Sequence, residues 1–117
     1  MEYILLIYGN EAENKKLSDA THQQMFQEYM TFTQDLTKSG KNKGGAPLEQ
    51  VATATTVRVR NGKTVVTDGP FAETKEQLGG YYLVEAKDLD DAISIASRIP
   101  GAKFGSIEVR PIMKINM

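Results

Sequence analysis

The 117-residue chain has the size of one domain, with 40% hydrophobic residues, 25% charged residues and a formal net charge of -1. This small charge, with Lys and Arg scattered along the chain, excludes the strong basic field that recruits nucleic acid or an anionic membrane surface. The longest apolar run, residues 3–8, is too short to span a bilayer, and the lack of cysteine excludes disulfides and cysteine-ligated metals. We therefore expect a single domain, residues 1–117, in the cytoplasm, without membrane or nucleic-acid partners.

The first half of the chain predicts a strand, a helix and a second, weaker strand. Residues 2–8 are apolar on both faces, as is typical of a strand buried on both sides. Residues 9–16 are polar and are predicted to be a loop. A helix follows, capped by Ser18 and ended by Gly40. Its apolar stripe consists of Met25, Phe26, Tyr29, Phe32 and Leu36. Residues 41–50 indicate an irregular edge strand or a loop.

The middle of the chain predicts a β-hairpin. Residues 53–60 alternate as a half-buried strand does, and residues 63–67 return antiparallel. Asn61 and Gly62 form the turn, because both residue types tolerate positive φ. The predicted pairs are Arg60 with Lys63, Val57 with Val66, and Thr55 with Asp68. Asp68 therefore marks the open end of the hairpin.

The second half of the chain predicts a loop, a strand, a helix and a last strand. The loop, residues 68–78, ends in Gly79-Gly80 and is followed by a strand apolar on both faces, residues 81–86. Asp88 caps a helix that Pro100-Gly101 closes. Its predicted stripe consists of Leu89, Ala92, Ile93, Ala96 and Ile99. The last strand, residues 106–112, directs Ile107 and Val109 inward.

This order predicts an α+β fold, a ferredoxin-like βαββαβ arrangement with an extra β-hairpin, in which two helices cover one face of an antiparallel sheet. The other face would expose Tyr and Leu side chains of residues 3–8 and 81–86, which is unfavourable in water. A second copy packed sheet to sheet is the simplest cover, so we expect a homodimer. The alternative is that the long loops cover this face within the monomer.

Several segments make the chain recognisable. Residues 52–60, ATATTVRVR, and residues 66–82, VTDGPFAETKEQLGGYY, closely resemble the YCII-related family in its DGPF-domain branch. The opening strand, residues 3–9, and the closing segments, residues 98–102 and 105–111, resemble it too. The resemblance implies a dimeric α/β-barrel type of fold and leaves the reaction open. Some members stand beside, or are fused to, extracytoplasmic-function sigma factors, which implies for this chain a sigma factor acting in trans.

The resemblance also implies a candidate catalytic pair. The wider family has been proposed to carry a His–Asp pair with the His early in the first helix, a position that His22 matches, and Asp68 is the nearest candidate for the Asp. The alternatives are structural. His22 would be a solvated helix residue, and Asp68 would accept backbone hydrogen bonds in an Asx-type turn. In that turn Gly69 takes an unusual conformation, Pro70 fixes φ and Phe71 plugs the core.

The candidate ligand-binding residues are Arg58, Pro70, Phe71, Glu73 and Tyr81. Arg58 would clamp a carboxylate or phosphate, or lie on a solvated strand face. Glu73 begins a charged stretch that is either an ordinary loop or a lid hinged at Gly79-Gly80. Tyr81 would turn its hydroxyl into a cleft, or pack in the core or dimer interface. No metal site or cofactor is expected, because a single histidine does not make a typical metal site and no phosphate loop or dinucleotide fingerprint is present.

Three functions remain open. The chain is a small-molecule-binding dimer, in one version a cofactor-independent acid–base enzyme, or it is a regulatory or interaction module linked to sigma-factor-dependent transcription. The third alternative is a stable scaffold whose motif around Asp68 is purely structural.

Overall fold

The chain was analysed as a computed structural model that describes residues 1–116. The strands are β1 (Glu2–Gly9), β2 (Asn42–Pro47), β3 (Thr55–Arg60), β4 (Lys63–Asp68), β5 (Gln77–Glu85) and β6 (Ser106–Pro111). The helices are α1 (Glu11–Lys15), α2 (Asp19–Lys38) and α3 (Leu89–Ser97), with short 3-10 turns at Val51–Thr53 and Pro100–Lys103. Within the described residues, none of the helices has the length and apolar character needed to cross a bilayer.

Four strands form one antiparallel sheet in the order β2-β5-β1-β6. In its centre Tyr3 lies opposite Val84, and Leu5 lies opposite Tyr82. Because side chains alternate along a strand, these residues share one face, and α2 and α3 both pack against it. This mixed α+β arrangement of antiparallel sheets and three helices is consistent with a ferredoxin-like fold.

The core lies between that face and the two helices. Its buried members are Tyr3, Leu5, Phe32, Leu36, Val84, Ala86, Ala92, Ile95, Ala96 and Ile99. The helices begin where the sequence predicts: the side chains of Ser18 and Asp88 accept the N–H groups of Thr21 and Asp91. Ile107 and Val109 pack against this core from β6, as expected.

The buried stripe of α3 is rotated from the predicted one. Leu89 and Ile93 are 51% and 49% exposed, whereas Ile95 is fully buried. Ala92, Ile95, Ala96 and Ile99 have the spacing i, i+3, i+4, i+7, which the predicted residues Leu89, Ala92, Ile93 and Ala96 have as well, so packing against the sheet and not spacing selects the stripe. The prediction for Leu89 and Ile93 is therefore wrong.

Two segments are more regular than predicted. Residues 9–16 contain α1, which begins after Asn10, whose side-chain oxygen accepts the N–H of Glu13 at 3.0 Å. Residues 41–50 contain β2, an edge strand whose register shifts between Asn42 and Gly44. The irregular strand was one of the two predicted alternatives, whereas the loop at residues 9–16 was wrong.

The strand β5 begins four residues earlier than predicted, at Gln77 instead of residue 81. Gly80 therefore lies inside the sheet, opposite Ile7 on one side and Pro47 on the other. A Cβ at Gly80 would lie 3.0 Å from the carbonyl oxygen of Ala46, so this close strand approach favours glycine. The predicted hinge at Gly79-Gly80 is thus wrong, because both residues belong to a paired strand.

The strands β3 and β4 form a separate two-stranded sheet in the predicted register. The turn residues Asn61 and Gly62 have φ values of 52° and 75°, as a two-residue hairpin turn of this kind requires. One side of the hairpin, here called the valine face, consists of Val57, Val59 and Val66, which are 60%, 61% and 62% exposed. The other side carries Arg58, Arg60 and Lys63.

The substitution Ile95→Ala should lower the free energy of unfolding by about 2–5 kcal/mol, because it opens a cavity in the core. Ile93→Ala, the same change on the exposed side of α3, should cost less than about 1 kcal/mol. Urea denaturation of both variants measures the difference. Equal losses would contradict the observed orientation of α3.

Candidate functional site

A cavity of about 680 Å³ opens between α2 and the sheet, beside the ends of β1, β2 and β5. This volume lies within the range of small-molecule pockets, roughly 300–1,000 Å³. The wall from α2 is formed by Met25, Phe26, Tyr29, Met30, Thr33 and Gln34. Ile7, Tyr82 and Gly101 line the opposite side. Most of these groups are apolar, so the cavity suits a largely apolar molecule.

The cavity exists because the apolar stripe of α2 has two parts. Phe32 and Leu36, in its C-terminal part, are buried in the core. Met25 and Tyr29, in its N-terminal part, line the cavity instead, and Phe26 is 66% exposed. The predicted stripe is therefore confirmed as core for its second half, while its first half forms the cavity wall.

Three hydroxyl groups, here called the hydroxyl cluster, make up one polar part of the wall: those of Tyr29, Thr33 and Tyr82. The Oγ1 of Thr33 and the hydroxyl of Tyr82 are 2.7 Å apart and share a hydrogen bond. Phe32 packs edge-on against the Tyr82 ring, with a centroid distance of 5.2 Å, and so fixes its position. Because a hydroxyl both donates and accepts, the cluster can bind a carbonyl or a hydroxyl oxygen of a ligand.

The Tyr29 hydroxyl also accepts the backbone N–H of Gly101 at 3.1 Å. Gly101 is suited to this contact by its missing side chain, because a Cβ there would lie 2.5 Å from the Tyr29 oxygen. The contact joins α2 to the 3-10 turn Pro100–Lys103, and both residues line the cavity.

Burial raises the pKa of the Tyr29 phenol above its ordinary value of 10.0. The hydrogen bond from Gly101 opposes this shift, and the neighbouring Tyr82 adds to it. The phenol of Tyr29 is therefore neutral at physiological pH. It keeps a proton that it can donate to a ligand.

Glu11 also lines the cavity, just after β1 leaves the sheet. Its backbone N–H donates to the Oε1 of Gln77 at 2.9 Å, and its Oε2 accepts the N–H of Val51 at 3.1 Å. These bonds join α1 to β5 and to the 3-10 turn that precedes the hairpin. Among the lining residues within 1–116, Glu11 alone carries a charge.

Of the predicted site residues, Tyr81 lines the cavity, although its side chain lies on the face of β5 opposite to that of Tyr82. Those that do not are His22, Arg58, Asp68, Pro70, Phe71 and Glu73. The Nε2 of His22 lies 2.8 Å from the carbonyl oxygen of Asn14, which only accepts, so this nitrogen carries the proton. Asn14 itself lines the cavity, so His22 contacts a lining residue without lining the cavity itself.

Asp68 lies at the open end of the hairpin. The turn that follows it is held by hydrogen bonds of Gly69 and not of Asp68. The N–H of Gly69 donates to Ala54 at 2.7 Å, and the Oγ1 of Thr56 donates to Gly69 at 2.8 Å. The φ of Gly69 is 97°, the unusual conformation that the turn was predicted to need. No hydrogen bond of the described residues uses the Asp68 carboxylate, so the predicted Asx-type bonding is not observed.

The other predicted residues stay near the hairpin. Phe71 is 79% exposed, so the prediction that its ring plugs the core is wrong. Arg58 lies half-buried on the basic side of the hairpin, while Pro70 and Glu73 are exposed. Within residues 1–116, no three His, Asp or Glu side chains are grouped so that they could hold a metal ion.

Sequence reasoning did not select Glu11, Tyr29, Thr33 or Tyr82 as site residues. Tyr29 and Thr33 are four residues apart on α2 and therefore lie on the same face of the helix. This spacing is the sequence signal that could have placed their two hydroxyl groups side by side. Asn10 before Glu11 is a helix-start signal that would have placed Glu11 on a helix. Alternation places Tyr81 and Tyr82 on opposite faces of the strand; Tyr81 was chosen as the site residue, whereas the Tyr82 hydroxyl belongs to the cavity wall.

Ionisation of Tyr29 should make the stability of the protein fall in alkali. A phenol whose folded pKa is raised contributes stability that is present below its unfolded pKa and is lost as the pH rises through the folded one. Above about pH 10, the free energy of unfolding should therefore fall more steeply for the native chain than for Tyr29→Phe. Urea denaturation across this range measures both slopes, with Tyr3→Phe as a control outside the cavity. Parallel curves for the native chain and Tyr29→Phe would contradict the burial of this phenol.

Comparison with known proteins identifies the family. The model of the YCII-related domain matches residues 1–116. An uncharacterised protein of Rhizobium meliloti is 36% identical over 114 residues, which cover 96% of this chain and 92% of that protein.

Among solved structures, a 5-chloro-2-hydroxyhydroquinone dehydrochlorinase of Burkholderia phenoliruptrix, in complex with 2,5-dihydroxybenzoquinone, is similar with a TM-score of 0.56. The two chains are 15% identical, and the likeness covers 97% of this chain and 94% of that one. At this identity the similarity concerns the fold alone. Together with the match over residues 1–116, these findings show that the chain belongs to the YCII-related domain family.

Proposed function

We propose that the protein binds a small, largely apolar molecule in the cavity between α2 and the sheet. The observation that carries this proposal is the hydroxyl cluster of Tyr29, Thr33 and Tyr82 in a cavity that is otherwise mostly apolar. Apolar walls supply affinity, and a few placed polar groups fix the orientation of a ligand. The ligand would place a hydroxyl or carbonyl oxygen at this cluster.

The dehydrochlorinase of similar fold supports a first ligand class. Its structure contains 2,5-dihydroxybenzoquinone, a six-membered ring with hydroxyl and carbonyl oxygens. Hydroxylated aromatic rings and quinones are therefore the first compounds to test on this chain.

The run VTDGPFAETKEQ, residues 66–77, supports the finer proposal that the chain belongs to the DGPF branch of the family.

Proton transfer on a bound ligand is a second candidate function, and it would make the protein a cofactor-independent acid–base enzyme. The hydrogen bond from His22 to Asn14, a residue of the cavity wall, favours a role for this imidazole. Asp68 would join it only if a ligand or a loop movement brought the two within hydrogen-bond reach.

The substitution Tyr82→Phe should weaken binding of hydroquinone roughly 2- to 12-fold, because one hydrogen bond contributes about 0.5–1.5 kcal/mol. Titration calorimetry measures the affinity, and Tyr3→Phe removes a hydroxyl outside the cavity as the matched control. Chemical conversion of the hydroquinone during the same incubation would favour the second candidate function, an acid–base enzyme.

The binding proposal fails if hydroquinone, catechol and 2,5-dihydroxybenzoquinone all leave the native chain unchanged. It also fails if Tyr82→Phe binds each of them as well as the native chain does.

We also infer that two copies pair through the sheet face opposite the helices, here called the open face: Ile4, Leu6, Tyr81 and Leu83. These apolar side chains are only half-buried in one chain. The valine face is uncovered as well, and an isolated two-stranded hairpin is marginally stable in water. A second copy that covers both surfaces supplies the missing packing.

The shape of the chain supports this pairing. Its extents are 47 × 47 × 19 Å, and its radius of gyration is 16.3 Å, against about 13 Å for a compact chain of this length. So thin a body exposes wide faces that a monomer leaves in water. A regulatory partner such as a sigma factor in trans is the alternative occupant of these faces.

Light scattering after size exclusion should give about 26 kDa, twice the 12.9 kDa of one chain. Leu6→Asp should give a monomer, because it buries a charge in the proposed interface. Ile93→Asp, on the exposed side of α3, is the control and should stay dimeric. Circular dichroism checks that both variants fold. If the native chain has a mass of about 12.9 kDa at micromolar concentration, it is a monomer and the pairing is contradicted. A regulatory partner would then be the remaining occupant of these faces.

A further inference from the structure

We propose that Glu11 selects the ligand of the cavity, by binding a hydroxyl or ammonium group and by excluding carboxylates. The inference rests on the proposed function, since it names the class of molecule that the same cavity takes. Glu11 would then act as a binding residue of the cavity that also holds the hydroxyl cluster.

The first argument is charge. Glu11 is half-buried, and the other side chains that line the cavity within residues 1–116 are uncharged. No salt bridge of the described residues involves Glu11; the nearby Lys16 pairs with Glu13 instead, at 3.3 Å. Apolar walls screen a charge poorly, so an anion in the cavity would meet a repulsion that nothing in the wall offsets.

The second argument is hydrogen-bonding capacity. The Oε2 of Glu11 accepts the N–H of Val51, and within residues 1–116 no protein donor is bonded to its Oε1. An ionised carboxylate offers two acceptor oxygens and no donor. A ligand group that fits Oε1 must therefore carry a proton to donate, as a hydroxyl or an ammonium does.

The third argument is placement. The backbone N–H of Glu11 is bonded to Gln77, which lies five residues from Tyr82 along β5. Gln77 holds the main chain of Glu11 and the N–H of Val51 holds its carboxylate, so little freedom of the side chain is lost when a ligand binds. The cavity thus recognises a largely apolar molecule that donates a hydrogen bond to Glu11 and places an oxygen at the hydroxyl cluster.

A purely structural role for Glu11 makes a different prediction. If the carboxylate only holds the turn Val51–Thr53, Glu11→Gln should behave as the native chain does, because the amide oxygen still accepts the N–H of Val51. The same variant removes the charge. It therefore separates charge selection from the support of the turn.

Three probes share one phenol ring and differ only in the tail: tyramine, 2-(4-hydroxyphenyl)ethanol and 4-hydroxyphenylacetate. The native chain should bind the ammonium and the alcohol at least roughly tenfold more tightly than the carboxylate, the size of effect typical of a hydrogen bond to a charged group. Glu11→Gln should weaken tyramine and strengthen 4-hydroxyphenylacetate, so that this preference disappears. Glu13→Gln, on the same helix outside the cavity, is the control and should keep it.

The outcomes separate the two proposals. Equal binding of all three probes, unchanged in Glu11→Gln, would overturn the role of Glu11 and leave the cavity as a binding site. Tightest binding of 4-hydroxyphenylacetate to the native chain would overturn it too. Binding of none of the probes at millimolar concentration would overturn both proposals for hydroxylated aromatic ligands. If tyramine alone is bound, the ligand group that donates to Glu11 must be a cation. If the alcohol is bound as well, a neutral hydroxyl is enough to bind Glu11.

Discussion

The contact between Tyr29 and Gly101 joins α2 to the 3-10 turn Pro100–Lys103 and, with the core residues of the helix, holds α2 on the sheet. The phenol reaches the backbone of a 3-10 turn at 3.1 Å, where a side chain on residue 101 would collide with it. Beyond this contact, Phe32 and Leu36 pack into the core, while Met25 turns toward the cavity. One aromatic side chain therefore separates the part of the helix that stabilises the fold from the part that forms a wall. The same burial raises the pKa of this phenol.

Much of the fold could be predicted because its signals are local. Alternation in residues 53–60 and the Asn61-Gly62 turn determine the hairpin register, and Ser18 and Asp88 determine where two helices start. The errors arise where tertiary contacts decide. Ile93 and Ile95 both fit a helical stripe, and only packing against the sheet selects Ile95.

The candidate site was less predictable, because it joins residues that are distant in the chain. Glu11, Tyr29 and Tyr82 line one cavity through the pairing of β1 with β5 and the packing of α2, and no short motif contains them. The most recognisable run, around Asp68, instead lies at the end of an exposed hairpin, with Phe71 79% exposed. A recognisable motif thus identifies the family without locating the cavity.

The most direct test of the central claim is a map of backbone amide chemical shifts during titration with 2-(4-hydroxyphenyl)ethanol. Binding between α2 and the sheet should shift the amides of Glu11, Gly80 and Gly101 most strongly, since these residues line the cavity. Shifts confined to residues 68–76 would contradict the account. They would place the ligand at the loop after the hairpin and away from the hydroxyl cluster.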